Sequence, residues 1–181
     1  MFFLEEGLKK WVPDSMAISG AALFSSDNGL SESFLRKSRL ENEMNWTSNG
    51  RGCETEAEYT SYTFRSTFTE SKIHVQISSY EDEERLYIGF GDFHAHLDFA
   101  TGESGGSTII SLEGSPRVSS NWQFLSSHNV NGRTYRNVAK ITLSVESGNI
   151  PEHNARVLYY APHKGVLGYE QFDGVVWELS N

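Results

Sequence analysis

Cysteine is almost missing from this sequence: 181 residues contain one, Cys53. A single cysteine cannot close an internal disulfide, so no covalent staple holds the fold, and the count fits a reducing compartment. Cys53 lies in the polar, glycine-broken stretch Asn49-Gly50-Arg51-Gly52-Cys53-Glu54. Arg51 would lower the pKa of a thiol beside it, but an incidental loop cysteine is the expectation. Basic charge is also scarce, with 15 Lys and Arg against 24 Asp and Glu and a formal net charge of -9. Such a balance argues against non-specific nucleic-acid binding, where phosphates must be neutralised by Lys and Arg. It permits a basic protein partner, because opposite fields speed encounter.

Long hydrophobic runs are absent as well. No stretch approaches the roughly 18 apolar residues of a membrane-crossing helix. The opening Met1-Phe2-Phe3-Leu4-Glu5-Glu6-Gly7-Leu8-Lys9-Lys10 places acids where a secretory signal needs a basic start and an apolar run. The apolar stretch Met16 to Phe24 is short and has no typical cleavage site after it. The expectation is a cytoplasmic protein with no membrane and no nucleic-acid partner. Phosphate-binding glycine loops and the Gly-x-Ser-x-Gly elbow of serine hydrolases are missing too. Gly102-Glu103-Ser104-Gly105-Gly106-Ser107 is glycine-rich but lacks the lysine of a phosphate loop, and it reads as a flexible loop. No spacing of carboxylates marks an acid/base pair.

What is present can build a core: 38% of the residues are apolar and 13% of the chain is aromatic. A chain of this length buries roughly two-thirds of the surface its unfolded form exposes and suits a single domain, residues 1–181. Leu4, Leu8, Trp11 and Val12 have helical spacing before Pro13. Residues 31–46 read as a second helix, capped by Ser31 or Ser33, with Phe34, Leu35, Leu40 and Met44 as a partial stripe. Residues 1–52 are therefore expected to be a helical region packed on or beside a sheet.

From about residue 57 the period changes to two. Tyr59 to Phe68 reads as a strand, and Ile73, Val75 and Ile77 alternate with Lys72, His74, Gln76 and Ser78. The acids Glu81-Asp82-Glu83-Glu84 form a turn, and Leu86 to Phe99 continues in strand-like alternation. Further strands are expected at Thr108–Leu112, Trp122–Leu125, Tyr135–Val145, Val157–Ala161, Val166–Glu170 and Val175–Leu179. Pro162–Gly165 and Phe172–Gly174 are turns. Short connections force antiparallel pairing. The fold class is mainly β (α+β): an antiparallel sheet, sandwich or partly closed barrel over residues 57–181, with one or two N-terminal helices.

Gly91-Asp92-Phe93-His94-Ala95-His96-Leu97-Asp98 is the most distinctive segment. In an extended chain Asp92, His94, His96 and Asp98 share one face, while Tyr87, Phe93, Ala95, Leu97 and Phe99 point to the core. Two histidines on one strand face can chelate a divalent metal such as zinc, with aspartates completing the shell or orienting the imidazoles. His74 joins that face if residues 72–78 and 86–98 pair as a hairpin. His128, His153 and His163 fall in expected loops.

The segment resembles the Asp-x-His-x-His motif of amidohydrolase-type metal enzymes over Asp92, His94 and His96. Those enzymes are parallel α/β barrels of roughly 250 residues, and the antiparallel pattern here excludes that family. The stretch Lys72 to Asp98, with Gly89-Phe90-Gly91-Asp92-Phe93-His94-Ala95-His96, resembles small bacterial immunity-like and uncharacterised proteins. That resemblance implies a cytosolic protein that binds and blocks a toxin domain without catalysis. Tyr135-Arg136-Asn137-Val138, Val157-Leu158-Tyr159-Tyr160-Ala161-Pro162, Gly165-Val166-Leu167-Gly168-Tyr169-Glu170 and Trp177-Glu178-Leu179 are similar to the closing strands of bacterial β-rich lipoprotein-type domains. Three readings of function follow. The leading one is a non-catalytic, immunity-like or accessory protein with a basic protein partner. The second is a metal-binding protein or metal-dependent hydrolase centred on His94 and His96. The third is a β-barrel holding a small apolar ligand among Trp122, Tyr159, Tyr160 and Trp177.

Overall fold

The structure is a computed structural model that describes residues 10–11, 21–48, 54–67, 72–80, 83–91, 93–99, 101, 103–108, 116–150, 152 and 154–180. Its strands are β1 (Ala21–Ser26), β2 (Ser31–Ser48), β3 (Glu54–Ser66), β4 (Lys72–Tyr80), β5 (Glu83–Phe90), β6 (Phe93–Asp98), β7 (Ser104–Thr108), β8 (Arg117–Val130), β9 (Arg133–Ser147), β10 (Ala155–Ala161), β11 (Gly165–Gln171) and β12 (Val176–Leu179). All belong to one sheet of order β7-β6-β5-β4-β3-β2-β1-β12-β11-β10-β9-β8.

Except for β7 and β8, strands adjacent in sequence pair antiparallel, and β12 returns to pair with β1, with Phe24 opposite Leu179. The two ends of the sheet, β7 and β8, lie against each other, linked by the Ser120 hydroxyl donating to the Gly105 carbonyl at 2.6 Å. The result is an up-and-down antiparallel barrel, closed by a ladder on the β1–β12 side and nearly closed at the β7–β8 seam. The expected antiparallel β architecture is what forms.

Period-two patterning decides which side of each strand faces inward. Ile73, Val75 and Ile77 of β4 and Leu86, Ile88 and Phe90 of β5 are all buried, and the register sets Val75 opposite Ile88 and Ile77 opposite Leu86. Burial of such a side chain contributes roughly 1.5–3 kcal/mol each. The centre of the barrel is aromatic. Phe24 meets Phe34 edge-on at 5.6 Å, Phe90 lies 4.3 Å from Tyr169, and Tyr169 stacks on Trp177 at 5.9 Å. Inside this cluster the Tyr169 hydroxyl donates to Glu32 Oε2 at 2.9 Å, and the Ser66 hydroxyl donates to Glu32 Oε1 at 2.6 Å. A buried carboxylate is tolerable only with such donors.

Four local expectations are corrected by this arrangement. The helix expected over residues 31–46 is the 18-residue strand β2. Local helix formers are overridden there by ladders on both sides, to β1 and to β3, while Glu32 and Phe34 bury at strand spacing. No helix occurs among the described residues, and the helix expected over residues 2–12 lies outside them except for Lys10 and Trp11, which sit in a turn. The region after residue 20 is therefore part of the barrel wall rather than a helical layer beside it. The glycine-rich stretch near 101–107 contributes strand β7. His128 lies in β8 rather than in a loop, because β8 and β9 are long strands joined at Asn131-Gly132, with φ of 47° and 76°. That pair of positive φ values is what a two-residue hairpin needs. Cys53, His153 and the strand expected at Thr108–Leu112 lie, beyond Thr108 itself, outside the described residues.

The fourth correction bears on the site. Leu86 to Phe99 is not one continuous strand. The chain reverses at Gly91, whose φ is 62°, and Phe90 pairs with Phe93 across the turn. A Cβ on Gly91 would come within 2.5 Å of Asn154 Oδ1, so glycine serves both the left-handed backbone and the close approach. Because a hairpin sets opposing residues on the same face, Tyr87 is brought to the side of His96 rather than to the core.

Candidate functional site

The outer face of the β4–β5–β6 hairpins carries the histidines. The register aligns Thr63, His74, Gly89, His94 and Ser107 in one cross-strand row, and Ser61, Gln76, Tyr87, His96 and Gly105 in the next. His74 and His94 therefore flank Gly89, and a Cβ on that glycine would sit 3.4 Å from the Cβ of His74 and 3.7 Å from that of His94. The missing side chain makes a notch between the two imidazoles. Gly105 plays a related part: its Cβ would fall 2.5 Å from His96 Cε1, so the His96 ring lies flat over the β7 backbone.

Tyr87 gathers the patch from the middle. Its ring is 5.7 Å from that of His96 and 6.3 Å from that of His94. The Tyr87 hydroxyl accepts from Arg85 Nη1 at 3.2 Å. His74 is bonded through both ring nitrogens, Nε2 to Gln76 Oε1 at 3.4 Å and Nδ1 to the Thr63 hydroxyl at 2.9 Å.

These surroundings lower the pKa of His74 and His94. Burial lowers the pKa of His74 below its ordinary value of 6.5, with the Gln76 hydrogen bond opposing. Burial also lowers His94, and the charges that His96 and His74 would carry push in the same direction. Both shifts favour the neutral form of these two imidazoles on an acidic protein.

The four residues named from the sequence as metal ligands are placed as follows. His94, His96 and Asp98 do share one face of β6, as strand periodicity requires, and His74 joins it through the β4–β5 hairpin. Asp92 lies outside the described residues. Asp98 is buried, its Oδ1 accepts from the Thr101 N–H at 3.1 Å, and its Oδ2 faces Arg85 Nε at 3.6 Å. Among the described residues no three of His, Cys, Asp and Glu come together as a group that would hold a metal ion. Tyr87 was missed as a member of the face because continuous alternation through Gly91 sends it to the opposite side.

The aromatic residues named for an apolar ligand do not surround one chamber. Tyr160 and Trp177 are buried in the main core. Trp122 donates its indole N–H to the Ser120 hydroxyl at 3.2 Å. Tyr159 stacks on His128 with ring centroids 4.0 Å apart and planes 9° from parallel. Between β5–β6 and β9–β10 the interior leaves a void of about 10 Å³ lined by Ile88, Phe90, Ile141 and Leu158 among others, room for about one water molecule.

Comparison of the chain with protein-family models, with curated proteins and with solved structures gives no match. The functional reading therefore rests on the residues themselves.

Proposed function

We propose that this chain is a non-catalytic binding protein of the immunity-like or accessory kind, working in the cytoplasm by seating a basic protein partner on the outer face of the β4–β6 hairpins. The observation that carries the reading is the placement of the chemistry-bearing side chains. His74, Tyr87, His94 and His96 all stand on the outside of a barrel whose centre is packed with aromatic rings. Tyrosine and neutral imidazole are well suited to a contact that must be dried, since they bring large rings and hydrogen-bonding atoms at little desolvation cost. The net charge of -9 supplies long-range attraction to a basic partner.

The test compares the tagged protein with a Tyr87→Ser/His94→Ser/His96→Ser variant as bait, followed by calorimetry on the purified pair at two salt concentrations. The expected result is a basic protein held by the parent chain, lost from the variant, and bound more weakly as salt rises. Equal retention by both baits sinks the proposal. So does stoichiometric zinc in plasma mass spectrometry that disappears in a His94→Ala/His96→Ala variant, which would move the reading to a metal-binding protein.

A further inference from the structure

The seam between β7 and β8 is where the barrel wall lacks a ladder among the described residues, and beside it opens a cleft of about 300 Å³. That volume sits at the lower end of small-molecule sites. Three aromatic rings line it, Phe99, Trp122 and Phe124, together with Asp98, Asn121 and Ser104. Trp11 backs two of those rings, with centroids 5.7 Å from Phe99 and 5.8 Å from Phe124. Trp11 is itself held because the Tyr160 hydroxyl donates to its carbonyl. The Trp122 ring is fixed by its indole bond to Ser120. Asp98 is held by Thr101 and Arg85, so the carboxylate has a set position before any ligand arrives.

This cleft differs in kind from the core. Phe124 is 53% exposed, so its ring is accessible from solvent. The carboxylate among the residues lining the cleft is Asp98. Backbone bonds from Phe99 N–H to Glu84 C=O at 2.7 Å and from Asp98 N–H to Glu103 C=O at 2.8 Å pin the chain that carries Asp98. Among the described residues, Arg85 faces Asp98, and Lys10 is next to Trp11. Aromatic faces carry negative quadrupole potential and attract a cation within about 6 Å of the ring centre. Low-dielectric walls with a carboxylate at the base focus that attraction.

The geometry points to a binding site for an organic ammonium group, such as a quaternary or methylated amine, in the Phe99–Trp122–Phe124 cleft with Asp98 as counter-charge. The soft, weakly hydrated head of such a cation gives up little solvation on entering an aromatic cleft, which selects it over a metal ion or a bare ammonium. The site adjoins the end of the histidine face at Asp98 and does not depend on the partner proposed above.

The test follows the Trp122 indole N–H signal by nuclear magnetic resonance while choline is added, with 3,3-dimethylbutan-1-ol as the neutral isostere and a methyl glucoside as a hydroxyl-rich control. The expected result is a saturable shift with choline, binding about tenfold weaker for the neutral isostere, and no saturation with the glucoside. Phe124→Ala should weaken choline by about tenfold, and Phe124→Leu, which keeps most of the volume, should weaken it too. Absence of a saturable shift overturns the proposal. Equal binding of the isostere or the sugar overturns the ammonium chemistry, and choline binding unchanged in both Phe124 variants overturns the location.

Discussion

Tyr87 stands directly opposite His96 across the β5–β6 ladder, and its ring also reaches to 6.3 Å from His94. One tyrosine therefore shields two imidazoles of a surface that would otherwise be wet. The neighbouring row adds His74, held through both ring nitrogens by Thr63 and Gln76. The face is organised by a turn: reversal at Gly91 is what places Tyr87 beside the histidines.

The first prediction concerns pH. His74 and His94 have pKa values lowered by burial, and His128 is lowered by burial as well. A histidine depressed in the folded state is protonated first in the unfolded chain, so the unfolded state binds more protons once pH drops below about 6.5. Stability is then full above that value and falls as pH is lowered toward the folded-state pKa values. Thermal unfolding midpoints measured from pH 8 to pH 5 should decline, and a His74→Gln/His94→Gln variant should decline less. In the same series the His94 imidazole should titrate below its ordinary range in the parent chain. It should move upward in Tyr87→Ala, where its shield is removed, and in His96→Gln, where a like charge is removed. A His94 midpoint unmoved by both substitutions would contradict the account.

Much of this barrel is legible in the sequence because its inward residues follow the pleat. Ile73, Val75 and Ile77, the hairpin turns at Pro162–Gly165 and Phe172–Gly174, and the three closing strands can all be read from period and turn chemistry. What cannot be read is decided by partners far along the chain. Residues 31–46 contain good helix formers, and only the ladders of β2 to β1 and β3 make them a strand. The β7 strand is hidden because Gly105 and its neighbours signal a loop, whereas in the fold a glycine is needed beneath the His96 ring. The histidine face was half legible: alternation along β6 gives His94, His96 and Asp98, but Tyr87 depends on where the chain turns. The aromatic cleft has no sequence signature, since Phe99, Trp122 and Phe124 are joined only by the seam.

The second prediction concerns the carboxylate inside the barrel. Glu32 is buried and receives hydroxyl bonds from Tyr169 and Ser66. Burial, then the Glu32 charge and its hydrogen bond, pushes the Tyr169 hydroxyl well above the ordinary tyrosine range, so it remains a donor at any pH the fold survives. Tyr169→Phe keeps the ring that packs on Phe90 and Trp177 but removes one donor from a buried anion. The expected cost is about 1–3 kcal/mol in urea unfolding. Tyr169→Phe combined with Glu32→Gln should cost less than the sum of the two single changes, because the neutral amide no longer requires the lost bond. Strict additivity would show that the pair does not act as one unit.

The third prediction concerns the β8–β9 hairpin, whose tip is folded back on the barrel. Asn137 has a φ of 55° within β9, a left-handed kink rare for a residue other than glycine. Beyond it, the Asn131 N–H donates to Glu178 Oε2 at 3.2 Å and the Asn131 side-chain amide donates to the Leu179 carbonyl at 2.9 Å. Val130 packs into a small second core with Val138, Ala161 and Leu167, and His128 stacks on Tyr159. The tip is therefore held by one apolar anchor, one ring stack and two hydrogen bonds from a single asparagine. Val130→Ala removes the anchor from a site that is 1% exposed, and it should cost about 1.5–3 kcal/mol. Asn131→Ala should cost less globally, since both of its bonds lie at an exposed edge, yet it also strains the positive φ that the turn requires. Native-state hydrogen exchange separates the two effects. Asn131→Ala should raise exchange at amides of the tip alone, residues 128–135, while Val130→Ala should raise it also in β10 and β11, where Ala161 and Leu167 lose their cover. Equal exchange in the tip and in β11 for both variants would mean that the hairpin does not fold back as a separate cooperative piece.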